Sequence, residues 1–254
     1  NFSAGYDHYD YKNDETENVF QAARLSFAIN QYFAKANFNL ELDKHRLNFG
    51  GSTLLYNIST GTYEPLGEDS NVAFNDLQKD KALESAVYLG DEWDVTPKLS
   101  VNAGIRYSMF NALGPRDYYV YQPGALPSST TVSDTVHVGG SQVLKTYHGP
   151  EFRLSGRYAF NDDLSAKVGF NTMRQCIHKV SNTSIMSPTD IWKLSDVNIK
   201  PQQGWQLAGG IYYNTSDRMW EFALEGYYKQ MKDYLDSRSG AKLLMNPHLE
   251  TDVI

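Results

Sequence analysis

The sequence is short of three things, and each shortage excludes a class of protein. Cysteine occurs once, as Cys176, in 254 residues. A lone thiol builds no internal disulfide framework and shows no metal-ligand spacing. No stretch of about 18 apolar residues occurs, so no transmembrane helix is written here. Mean hydropathy is −0.50, which does not speak against membrane strands that are apolar only at every second residue. Basic residues are outnumbered, 23 Lys and Arg against 30 Asp and Glu, for a formal net charge of −7. The basic footprint of a nucleic-acid binder is missing, and nucleic acid is not an expected partner. There is no initiator methionine and no basic-then-apolar leader. Neither NFSAGYDHYDYKND at the start nor LETDVI at the end reads as a natural terminus, so a piece of a longer chain is expected.

Aromatic side chains, by contrast, are plentiful: 13% of residues, with 18 Tyr. Alternation of apolar and polar residues dominates over helical spacing. In LSVNAGIRYS, Leu99, Val101, Ala103, Ile105 and Tyr107 fall on one face, and Ser100, Asn102, Gly104, Arg106 and Ser108 on the other. Such strands come in pairs around tight turns at Asp43-Lys44, Thr96-Pro97-Lys98, Asn161-Asp162-Asp163 and Ser216-Asp217-Arg218. Between the pairs run long connections, rare in compact soluble domains. Short turn and long loop in alternation is the habit of outer-membrane barrels, with periplasmic turns and extracellular loops. The fold class expected is all-β, an antiparallel transmembrane β-barrel segment of about eight strands. Residues 1–16 read as an extracellular loop remnant and 17–254 as four barrel hairpins.

The phase of the aromatics supports this. Trp93, Tyr158, Phe160, Tyr213 and Trp220 lie near the turn ends, and Tyr107, Trp205 and Tyr228 near the loop ends, all in phase with the apolar face. Leu89, Val101, Ala103, Leu154, Val168, Leu207, Phe222 and Leu224 lie between, making an apolar band with two girdles. Asp91 shares that phase and breaks the pattern. The opposite face carries Arg106, Arg153, Arg157, Lys167, Asn171, Gln206, Glu221, Glu225 and Lys229. The residues alone leave open a complete eight-strand barrel acting as adhesin or anchor, and a soluble β-sandwich binding module.

The stretch VSNTSIMSPTDIWKLSDVNIKPQQGWQLAGGIYYN, with SDVNIKPQ at 195–202, resembles the mid-barrel segment of TonB-dependent outer-membrane receptors. YLGDEWDVTPKLSVNAGIRYS is similar to a barrel hairpin of the same family. The text from GPEFRLSGRYAF to DYLDSRSGAKLLMNPHLETDVI is similar to its Bacteroidota branch. The resemblance covers roughly residues 17–254. It implies a plugged barrel of about 22 strands that imports bulky or scarce nutrients. The partners implied are a plug domain of the parent chain, periplasmic TonB, outer-membrane lipid and a surface lipoprotein.

Arg106, Arg157, Lys167 and Glu225 are the candidates to face the plug. Tyr118, Tyr119 and Tyr121 of DYYVYQPG, with Trp192 on a short loop helix opened by Ser187-Pro188-Thr189-Asp190, are candidates for ligand or lid contact. Packing of loops on one another is the competing reading for all four. The acidic start lacks the spacing of a calcium loop. Neither HExxH nor Gly-x-Ser-x-Gly occurs, and the neighbours His178/Ser181 and His148/Glu151 are too weak a signal for catalysis. No enzyme, cofactor or metal is expected.

Overall fold

The computed structural model describes residues 1–181 and 190–253. Its strands are β1 (Phe2–Glu15), β2 (Ala23–Glu41), β3 (His45–Pro65), β4 (Asn75–Asp76), β5 (Asp80–Thr96), β6 (Leu99–Leu113) and β7 (Arg116–Tyr121). They continue with β8 (Val132–Val138), β9 (Val143–Ala159), β10 (Leu164–Gln175), β11 (Ile177–Val180), β12 (Ile191–Leu194), β13 (Gln202–Asn214) and β14 (Glu221–Lys232). One antiparallel sheet runs in the order β1-β2-β3-β5-β6-β9-β10-β13-β14, with β4 beside β3. The pairs β7–β8 and β11–β12 form two small separate sheets. The sheet is all-β and open rather than closed on itself.

The tight turns join β2–β3, β5–β6, β9–β10 and β13–β14, and the intervening chain lies at the opposite end, called the mouth below. At Asn161 the turn is set by its side chain, which accepts hydrogen bonds from the backbone N–H of Asp163 and Leu164. Thr96 does the same for Lys98 and Leu99. One expectation is corrected. Residues 1–16 are no loop: β1 pairs with β2 along its whole length, from Phe2↔Ala36 to Glu15↔Ala23. Its mouth half carries polar side chains on both faces, so the two-residue contrast that marks the other strands is absent there.

Register settles which residues share a face. Leu47, Asp91, Ala103, Leu154, Phe170, Leu207 and Tyr228 face one another in a continuous row from β3 to β14. This face is exposed and apolar, with Leu89, Leu154, Val168 and Leu224 all open. Asp91 does lie on it, and His45 hydrogen-bonds its Oδ2 at 2.7 Å while stacking on Trp93. The pairing answers half of the carboxylate; Oδ1 is buried without a partner.

The ladder between β9 and β10 is short. β9 pairs with β6 from Tyr158 up to Val143, but with β10 only over Arg153–Ala159. Above that, Phe152 N–H donates to Thr172 Oγ1 instead of a backbone carbonyl, and Pro150 follows, with no N–H to offer.

The buried core sits on the charged face at the mouth. Tyr56, Ile58, Ala82, Phe110, Ala112, Cys176 and Leu194 pack together there, with Trp192 and Tyr147 against them. Phe110 and Ile58 are nearly sealed, at 2% and 1% exposure, and each contributes about 1.5–3 kcal/mol of apolar burial.

Candidate functional site: the charged face and its mouth

Arg157, Lys167 and Glu225 belong to one row. Arg157 stands directly opposite Lys167, Lys167 opposite Gly210, and Gly210 opposite Glu225. Glu225 accepts a 2.5 Å hydrogen bond from Tyr212. Arg157 and Lys167 have no carboxylate within ion-pair distance among the described residues, although like charges directly opposite repel. Arg106 lies elsewhere. Ser100 is the β6 residue opposite Arg157, and Arg106 is six residues on, about 20 Å along the strand. It pairs with Glu84 at 3.5 Å. Three of the four sequence candidates are therefore brought together, and one is not.

At the mouth three of the four aromatic candidates are drawn into the protein's own packing. Tyr119 packs against His248 at 4.2 Å between ring centres, the rings tilted by 36°. Tyr121 donates to Glu250 at 2.7 Å. Trp192 is not on a helix: Ile191–Leu194 forms a strand paired with Ile177–Val180, and its ring packs on the core. A β-branched and an aromatic residue in succession fit an extended pair better than a helix. The capping residues Ser187, Pro188 and Thr189 lie outside the described residues. Tyr118 alone of the four makes no ring contact or side-chain hydrogen bond among the described residues.

Sequence reasoning missed a buried cluster of ion pairs at the mouth. Asp80, the first residue of β5 and 2% exposed, takes Lys193 Nζ on both oxygens at 3.0 and 3.1 Å. It also accepts Leu194 N–H at 3.1 Å and the Arg116 guanidinium. Asp196 closes the ring, 2.9 Å from Lys193 and 3.6 Å from Arg116. Its Oδ1 also accepts the backbone N–H groups of Asn198 and Ile199, which folds the NIKPQ stretch back on itself. Two cations thus meet two carboxylates in a buried, electrically balanced ring. A cavity of about 40 Å³ adjoins it, lined in part by Gln78, Asn246 and Glu250. The signal available in sequence was only that ionisable residues flank short apolar runs.

Beside the ring, His178 Nε2 lies 2.9 Å from the Oγ of Ser195. Ser195 is fully buried, beyond reach of a substrate. His148 and Glu151 lie on opposite faces: His148 meets Tyr107 on the apolar face, and Glu151 takes Ser108 on the charged one.

Burial pulls the His178 imidazole below its ordinary value, and the Lys193 ammonium adds to the pull. Burial alone would raise Asp196, but Lys193 and Arg116 together hold it below the usual carboxylate range. Burial, then Arg116, bring Lys193 down to about 8. For His178 and Asp196 the unfolded mouth binds more protons than the folded one as pH falls. The stability linked to His178 is therefore complete above 6.5 and lost as pH drops through its lower folded value. Asp196 follows below 3.8. In histidine-labelled protein, the NMR titration of His178, assigned by a His178→Gln spectrum, is expected to have its midpoint under 6.5. A midpoint at or above that value would contradict the burial account.

A family model described as TonB dependent receptor-like, beta-barrel matches residues 1–246. No curated protein sequence matches the chain. Among solved structures, the chain is similar to the copper transporter OprC, with a TM-score of 0.63 and 13% identity over 92% of this chain and 36% of that one. It is similar to the Serratia marcescens hemophore receptor HasR, solved with its hemophore and heme, at 0.55 and 13% identity over 92% and 37%. The Yersinia pestis ferric yersiniabactin uptake receptor gives 0.52 and 10% over 91% and 33%. At such identities the likeness is one of fold, and the chain spans about a third of the length of these structures.

Proposed function

Because the chain belongs to the TonB-dependent receptor-like β-barrel family, we propose that it is part of the wall of an outer-membrane active transporter. The transporter imports a bulky or scarce nutrient, with energy delivered from the periplasm through TonB. The observation that carries this reading is the two-faced sheet: one face open, apolar and girdled by aromatics, the other charged. In this reading the apolar face meets lipid and the charged face meets a plug in the lumen, so the chain is a transporter wall and not a catalyst. The text from GPEFRLSGRYAF to DYLDSRSGAKLLMNPHLETDVI favours the Bacteroidota branch, where a surface lipoprotein over the mouth is a further partner. Tyr118 is the mouth tyrosine left for such a contact.

In this reading Arg157 and Lys167, two uncompensated cations on one row, meet the plug, with Glu225 on the same row and Arg106 higher up. In the whole receptor, Arg157→Leu with Lys167→Met is expected to raise passive leak of a small dye from proteoliposomes several-fold. Unchanged leak and unchanged uptake would remove these residues from plug contact. The transport reading itself is tested in the native host by deleting the whole gene and comparing growth on limiting metal, heme, siderophore and glycan sources, with and without TonB. Loss of growth on one source, matched by loss without TonB, is expected. Growth unaffected on all of them would overturn transport of these nutrients.

A further inference from the structure

The buried ring at the mouth ties together segments that are far apart in the chain. Asp80 belongs to the wall strand β5, Arg116 opens the β7–β8 hairpin, Lys193 lies on β12, and Asp196 follows it. Each cation touches both carboxylates, so the ring is not two separate pairs that happen to be close. All four members lie within this chain and are shielded by it.

Cross-ties run the same way. Asn198 Nδ2 donates to the Tyr119 carbonyl at 3.1 Å, from the β12 side to β7. Tyr147 on the wall donates to the Asp196 carbonyl at 2.7 Å.

We propose that the Asp80–Arg116–Lys193–Asp196 ring makes the β7–β8 and β11–β12 hairpins one cooperative latch on the wall, so that they leave the mouth together. The electrostatics give the reason. If the β7–β8 hairpin departs alone, it removes Arg116 and leaves two buried carboxylates facing one ammonium. If the β11–β12 hairpin departs alone, Lys193 and Asp196 go with it. Leu194 is then stripped from the core, and the remaining Asp80–Arg116 pair is opened to water, where such a pair contributes little. Either departure takes a charged partner away from the other hairpin. A buried pair broken on one side is costly because the remaining charge is uncompensated.

The test uses the whole receptor in detergent and does not depend on a transported solute, so it stands apart from the transport reading. Amide hydrogen exchange is followed in Arg116–Tyr121 and Val132–Val138, in Ile191–Leu194, and in β3 and β13 as references. Asp80→Asn and, separately, Arg116→Gln are expected to speed exchange at least tenfold in both hairpins while β3 and β13 are unchanged. Faster exchange confined to one hairpin, or no change in either, would overturn the latch. Arg116→Gln leaves the wall strand untouched, so it decides the question if Asp80→Asn fails to assemble.

Discussion

Leu154→Arg is expected to destabilise the folded wall by about 2–4 kcal/mol, the range for a cation near the middle of a lipid-facing band. Asn102→Arg, on the neighbouring strand but the other face, is expected to change stability by no more than about 0.5 kcal/mol. Leu154 stands between Ala103 and Phe170, midway between Tyr158 and Pro150 on β9, and is 49% exposed. That exposure would be ruinous in water for so many neighbours at once, and it is the normal condition of a side chain solvated by acyl chains. Asn102 stands opposite Glu92 and Ser155, where a guanidinium finds a carboxylate. The measurement is denaturant unfolding of the whole receptor in lipid vesicles. Equal losses for the two variants would mean that the faces do not meet different media, and the membrane reading would fall with them.

The second large effect concerns the mouth core. Phe110→Ala is expected to cost about 3–5 kcal/mol of local stability, by lost burial and by the hole left behind. Phe110→Leu, which keeps most of the volume, is expected to cost under about 1.5 kcal/mol. Phe110 projects from β6 on the charged face and is 2% exposed, under Leu194 and beside Tyr56 and Cys176. Removing the ring takes away the floor on which β12 rests, so amide protection at Leu194 and Ile199 reports the loss. Ile199 is bonded to Asp196 and follows the same segment. Protection within about 0.5 kcal/mol of the parent for Phe110→Ala would show that the ring of charges alone seats the loops.

The wall was legible in the sequence because it obeys a local rule. Period-two alternation, aromatics at strand ends and turn residues are all read within a window of a dozen residues, and register then follows from the turns. Leu89, Leu154 and Val168 are on the face that alternation assigns them, and so is the misfit Asp91. The mouth was not legible for the opposite reason. Asp80 finds Lys193 across 113 residues and Arg116 across 36, and no local pattern announces such a meeting. The strand Ile191–Leu194 is four residues long, too short for a period to show. In β1, Tyr9 and Tyr11 alternate with Asp10 and Lys12, polar groups on both sides, because that half of the strand rises past the apolar band. Of the candidate site residues, phase alone assigns Arg157, Lys167 and Glu225 to one face, and register sets them on one row. Tyr119 and Tyr121 were found as aromatics, but their partners, His248 and Glu250, lie more than a hundred residues away.

The shortened ladder between β9 and β10 bears on the mechanics of the sheet. From Pro150 to Val143, β9 shares a backbone ladder with β6 but not with β10, and Pro150 withholds one N–H from any passing strand on the unfastened side. A stress applied at the mouth thus meets a fabric stitched on every seam but one. No ladder hydrogen bond holds the upper part of β9 to β10, and the Phe152 N–H bond to the Thr172 side chain is the tie that must break for the two to part. Below Arg153 the stitching resumes, so that compliance ends where the continuous wall begins.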